Sequence, residues 1–182
     1  MGESYLLSHC TQVLANIKPA NLFRIAGKSR EYIIDLLKEW NKRFNKFDIY
    51  FRQVAKNDKG SLIFVYRKDK LQAYLAEDQI KIFLKSLDYE VESLDKCLSC
   101  VIKKLSLGYF PHEIGCFLGY PYEDVEGFIA NKGQNYLCCG YWKVYSQKEE
   151  KEKLFALYDK TRKAYMDTYI KGQDIDLSLI HI

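Results

Sequence analysis

Apolar and polar positions alternate along this chain with two clear periods, and the period changes mark its elements. Residues 4–17 carry Tyr5, Leu6, Val13, Leu14 and Ile17, with Ser4 as a cap, and predict a short helix ending before Lys18-Pro19. A connector then runs from Pro19 to about Gly27. After Ser29, a second cap, Ile33, Leu36, Leu37, Trp40 and Phe44 form one stripe at helical spacing. From Phe47 the period shortens to two: Phe47, Ile49 and Phe51 on one face, Asp48, Tyr50 and Arg52 on the other. Ser61–Arg67 is aromatic and β-branched, and Asn57–Gly60 is a polar turn between the two runs. This predicts a β-hairpin whose second strand is covered on both sides. Helical stripes return over 69–76, 78–87 and 93–107, the last capped by Ser93. Residues 111–118 and 121–131 form two short helices, 134–145 reads as a third strand, and 148–171 as a long charged helix. The fold class is therefore α+β: a small three-stranded antiparallel sheet packed by about seven helices, including a short αα-hairpin that resembles a helix-turn-helix.

Length and composition narrow the classes. At 182 residues, 48% hydrophobic and 29% charged, the chain can bury a core of its own, and we read 1–176 as one globular domain. The final LSLIHI (177–182) matches the usual translation of a sequencing adapter, so we read it as foreign and exclude His181 from any site. A net charge of +4, spread along the chain, does not argue for nucleic acid. No apolar run approaches the ~20 residues of a membrane span, and the N-terminus lacks a basic leader segment. Six cysteines without a leader are expected as reduced thiols in the cytoplasm.

Candidate chemistry concentrates between Phe110 and Tyr145, which holds two of the three prolines and five of the ten glycines. Phe110-Pro111-His112-Glu113 is echoed ten residues later by Tyr120-Pro121-Tyr122-Glu123. Proline opens each short helix, and Gly119 and Gly133 end them. A helix-turn-helix reading meets an acidic second helix, with Glu123, Asp124 and Glu126 and no Lys or Arg, which opposes contact with phosphates. His112 and Glu113 in a first helical turn would give a neutral imidazole beside free amides, a candidate general base or anion-binding element. A zincin is excluded, because Cys116 stands where HExxH needs its second histidine. Cys97 and Cys100 form a CxxC in the middle of a helix and on its apolar stripe, which favours core packing over redox or zinc chemistry. No spacing supports a metal site built from His112, Glu113 and a cysteine, and the sequence leaves the cofactor unknown. In 134–145, interrupted at Gly140, Cys139, Tyr141 and Lys143 share one face and Cys138, Trp142 and Val144 the other.

The runs SHCTQVLANIKPANLF, LIFVYRKDKL, PHEIGCFLGYPYEDVEGFI and CCGYWKVY resemble the pattern of the family catalogued as domain of unknown function 3793, small proteins of anaerobic bacteria, from about Tyr5 to Tyr165. The resemblance implies no activity; it hints at a setting in redox or iron metabolism. Its motif residues scatter polar groups over four segments: Cys10, Lys18 and Asn21; Tyr66 and Arg67; His112 and Glu113; Cys139, Tyr141 and Lys143. We expect them to meet in one pocket holding a small anionic molecule between Lys18, Arg67 and Lys143. The leading reading is a ligand-binding or accessory module. One alternative is an enzyme using His112 as base, with Glu113 beside it and Cys139 or Cys10 as nucleophile. The other is a DNA-binding regulator acting through 111–131.

Overall fold

The computed structural model describes residues 2–108, 110–173 and 175, so the reading of 177–182 lies outside the described residues. Helices α1 (Glu3–His9) and α2 (Thr11–Leu14) lead into strand β1 (Ala20–Ile25). Helix α3 (Arg30–Phe44) follows, and then strands β2 (Ile49–Asn57) and β3 (Gly60–Arg67). Helices α4 (Lys68–Leu75), α5 (Asp78–Ser86), α6 (Leu94–Ser106), α7 (Ile114–Phe117) and α8 (Tyr122–Ala130) come next. A two-stranded ribbon, β4 (Cys138–Cys139) and β5 (Lys143–Val144), precedes the long α9 (Lys148–Ile170).

The main sheet has three antiparallel strands in the order β1-β3-β2. Its centre is β3, buried at every position from Ser61 to Tyr66, as its two apolar faces demand. Alternation splits the core in two. Leu62, Phe64 and Tyr66 face a cluster containing Leu71, Ile80, Leu98, Val101 and Phe117 from α4 to α7. Ile63 and Val65 face the opposite cluster, which contains Leu6, Leu14, Leu36, Trp40 and Phe44 from α1 to α3.

Two expectations about strands change. The connector at Pro19–Gly27 contains β1, paired from Ala20↔Tyr66 to Ile25↔Ser61. The third strand of the sheet is therefore β1, not 134–145. That later stretch folds back on itself at Gly140, pairing Cys138↔Val144 and Cys139↔Lys143. A Cβ on Gly140 would lie 2.3 Å from Phe155, so the α9 ring packs directly on the backbone where the ribbon turns.

The helices also shift. The first predicted helix breaks at Cys10 into α1 and α2. The predicted 111–118 helix shrinks to the four residues of α7. Residues 111–113 form a turn in which the amides of Ile114, Gly115 and Cys116 bond to the carbonyls of Pro111, His112 and Glu113. His112 therefore does not sit over free helical amides.

Between α7 and α8, Gly119 adopts φ +69°, and a Cβ there would lie 2.1 Å from Pro19 Cγ. This contact clamps the start of β1 onto the α7–α8 turn. We expect Gly119→Ala to lose about 1–3 kcal/mol in urea unfolding, from left-handed strain and overpacking together. An unchanged midpoint would mean that the clamp carries no load.

Candidate functional site

A cavity of about 450 Å³ opens where β1, the α7–α8 pair and the β4–β5 ribbon meet. Asn21 and Leu22 line it from β1, and Phe110 and His112 from the turn before α7. Gly115, Leu118, Tyr120 and Phe128 form the helical wall, and Cys139, Tyr141, Trp142 and Lys143 the ribbon wall. Tyr120 stacks on Trp142 with centroids 4.8 Å apart, and Trp142 meets Phe155 of α9 edge-on at 4.6 Å. The His112 ring stands 5.2 Å from that of Phe128. Aromatic rings thus dominate a concavity of ligand size.

Of the candidates, Asn21, His112, Cys139, Tyr141 and Lys143 line this cavity. Lys143 and Cys139 are register partners across the ribbon, and Lys143 Nζ donates to the Gly133 carbonyl at 2.7 Å. The same ammonium sits 4.8 Å from the Tyr136 ring. Tyr141 donates its hydroxyl to Asp159 of α9 at 2.9 Å and accepts from the buried Gln12 at 3.4 Å.

Lys18 lies just behind the wall. It is 2% exposed, its Nζ donates to Asn21 Oδ1 at 3.2 Å, and it stands 5.0 Å from the Tyr120 ring centre. No carboxylate pairs with it among the described residues. Burial alone lowers its pKa from 10.5 to about 7. Between those values the unfolded chain holds a proton that the folded chain has released, so this residue makes stability rise with pH across that window. Below about pH 7 both states hold the proton, and the full penalty of burying an ammonium is present. We expect the stability difference between wild type and Lys18→Met to change by roughly 1 kcal/mol per pH unit between pH 7.5 and 9. Parallel pH–stability curves for the two proteins would refute this.

The other candidates lie elsewhere. Cys10 is fully buried in the α1–α3 core and does not line the cavity; burial pushes its thiol well above the usual range. Tyr66 stacks between Tyr50 and Phe64 in the opposite core, at 5.6 and 5.2 Å. Arg67 spends its guanidinium on three carbonyls: Val13 at 2.7 Å, Leu14 at 2.7 Å and Phe47 at 3.0 Å. Buried Glu113 accepts from Lys104 at 2.8 Å and from the Tyr89 hydroxyl at 3.0 Å. Burial alone would raise its carboxyl pKa; these hydrogen bonds outweigh that and hold it below the usual range. It braces α6 against α7 rather than serving the cavity. Cys97 of the CxxC is packed in the core, with burial pushing its thiol up to about 12.

The residue that sequence reading missed is Asp124. It is 2% exposed and accepts three hydrogen bonds: from Trp142 Nε1 at 2.7 Å, the Tyr145 amide at 2.7 Å and the Ser146 amide at 3.1 Å. It binds α8 to the ribbon and lines the cavity from below. The three α8 acids do not share one outward face. In fact Asp124 points inward, and Glu123 pairs with Lys151 at 3.4 Å. The ribbon also occupies one side of α8, since the Tyr145 ring rests on Gly127. The available signal was spacing: Asp124 precedes Phe128 by four residues and adjoins Val125, placing an acid on an apolar stripe.

His112 makes no hydrogen bond to a thiol among the described residues; its ring packs against that of Phe128. Also among the described residues, no group of three or more His, Cys, Asp or Glu side chains is placed to hold a metal ion, and no helix is long and apolar enough to cross a membrane. No curated protein and no solved structure matches the chain. A family model described as a protein of unknown function, DUF3793, matches residues 6–178, and the chain belongs to that family.

Proposed function

We propose that the protein is a binding module for a small, flat, largely apolar molecule carrying an anionic group. The observation that carries this is the cavity of about 450 Å³ itself, walled by Phe128, Tyr120, Tyr141 and Trp142, with the Lys143 ammonium at its edge. Among the described residues the lining holds one carboxylate, Asp124, whose oxygens are already engaged by three N–H donors. Stacking on the rings supplies affinity, and Lys143 selects the charge. All six cysteines are unpaired, which suits a reduced, cytoplasmic setting.

The test is a fluorescence titration with 8-anilinonaphthalene-1-sulfonate, an aromatic anion. We expect saturable binding that weakens about 10-fold in Lys143→Ala, the equivalent of ~1.4 kcal/mol. The uncharged parent amine should not distinguish the two proteins. Cys139→Trp, which places a large ring at an exposed position of the lining, should abolish binding while leaving the unfolding temperature unchanged. Equal affinity for the wild type and Cys139→Trp would overturn the proposal.

A further inference from the structure

Lys18 is an unusual group for its place. A lysine at 2% exposure ordinarily has a carboxylate partner or several acceptors, because an isolated buried ammonium is costly. Here three N–H donors face a single amide oxygen, Asn21 Oδ1, and the face of one ring, Tyr120. Both of those neighbours line the cavity, so one layer of side chains separates the amine from it. Asn21 is itself tethered, donating from Nδ2 to the His9 carbonyl at 2.6 Å. Pro19 is locked against Gly119, so the backbone that carries the amine is held against the cavity wall. Among the described residues, Lys143, His112 and Asp124 line the cavity, and none of them forms an ion pair with Lys18.

From this arrangement we propose that Lys18 is a nucleophilic amine that forms an imine with a carbonyl compound bound in the cavity. The inference rests on the binding reading above and extends it, naming aldehydes or ketones with an aromatic, anionic body as the ligand class. The nitrogen lone pair attacks the carbonyl carbon, giving a carbinolamine. The carbonyl oxygen then leaves as water, taking both amine protons, and a C=N bond replaces C=O. No oxidant or reductant is consumed. The lowered proton affinity of the buried amine keeps a large fraction of it uncharged near neutral pH, which this attack needs. Access requires the Asn21 side chain to release both the His9 carbonyl and the Lys18 amine and swing aside.

The experiment is reductive trapping. The protein is incubated with 4-carboxybenzaldehyde and cyanoborohydride, and the modified lysines are mapped by peptide mass spectrometry. We expect Lys18 to be labelled at least 10-fold faster at pH 7 than exposed lysines such as Lys81 or Lys96. Its rate should level off above about pH 7, whereas the exposed sites keep accelerating. Cys139→Trp should suppress labelling at Lys18 and leave the exposed sites alone. Labelling of Lys18 no faster than of Lys81, or equal labelling in Cys139→Trp, would overturn the inference. If the anilinonaphthalene sulfonate still binds while Lys18 stays unmodified, the imine fails and the binding module stands. If that dye does not bind either, both readings fall.

Discussion

Replacing Asp124 by alanine is expected to lower the unfolding free energy by about 3–5 kcal/mol. The substitution removes one carboxylate and leaves three donors behind it: the Trp142 indole N–H and the amides of Tyr145 and Ser146. Trp142 is buried, and its ring is held between Tyr120 and Phe155, so its N–H cannot turn to solvent without breaking that stack. For a chain of this length such a loss is roughly a 10 °C fall in unfolding temperature. Asp124→Asn keeps the shape and one acceptor but turns an N–H₂ toward other donors, and should recover less than half of the loss. The ribbon carries Tyr141 and Lys143, so dye affinity should fall in both variants as that wall loosens. A loss below about 1 kcal/mol in Asp124→Ala would show that the ribbon is held by its rings alone.

The second large effect is at Arg67, where stability and binding should part company. Its guanidinium reaches the carbonyls of Val13 and Leu14, at the end of α2, and that of Phe47, just before β2. They lie where a helix end leaves carbonyls short of internal donors, and Val13 also accepts from the Asn16 amide at 3.1 Å. We expect Arg67→Ala to cost about 2–4 kcal/mol in urea unfolding, since three charge-assisted bonds are lost together and are not additive. Arg67→Lys should restore little, because a single ammonium cannot reproduce a fork across three acceptors. Dye affinity should be unchanged, as Arg67 lies outside the cavity lining. Weakened binding with intact stability would return Arg67 to the ligand, as its charge and motif position first suggested.

Helices α3 and α6 and the β2–β3 hairpin are legible in the sequence. The Ile33–Phe44 stripe is α3, and Ser29 caps it by accepting from the Tyr32 amide at 3.1 Å. Ser93 caps α6 in the same way, accepting from Lys96 at 3.3 Å. The Asn57–Gly60 turn joins β2 to β3 with Asn57 opposite Gly60. By contrast β1 has the local pattern of a connector, because Ala20, Asn21 and Arg24 lack strand character and only pairing with β3 makes them a strand. Five of the scattered motif residues, Asn21, His112, Cys139, Tyr141 and Lys143, do meet. Arg67, Glu113, Tyr66 and Cys10 carry equally suggestive side chains and are absorbed by carbonyls, an ion pair, a ring stack and the core.

The boundary between those outcomes is physical. Helical stripes, caps and turns depend on groups within about four residues of one another, so the order of residues already contains the interactions that select them. Whether a polar side chain faces a cavity or satisfies a distant backbone group depends on pairings across the chain. Asp124 with Trp142 and Pro19 with Gly119 are such pairings, and no local pattern encodes them. The periodic pattern therefore set the layers of this protein. Long-range packing chose which of its charged groups were spent on holding them together and which were left beside the cavity.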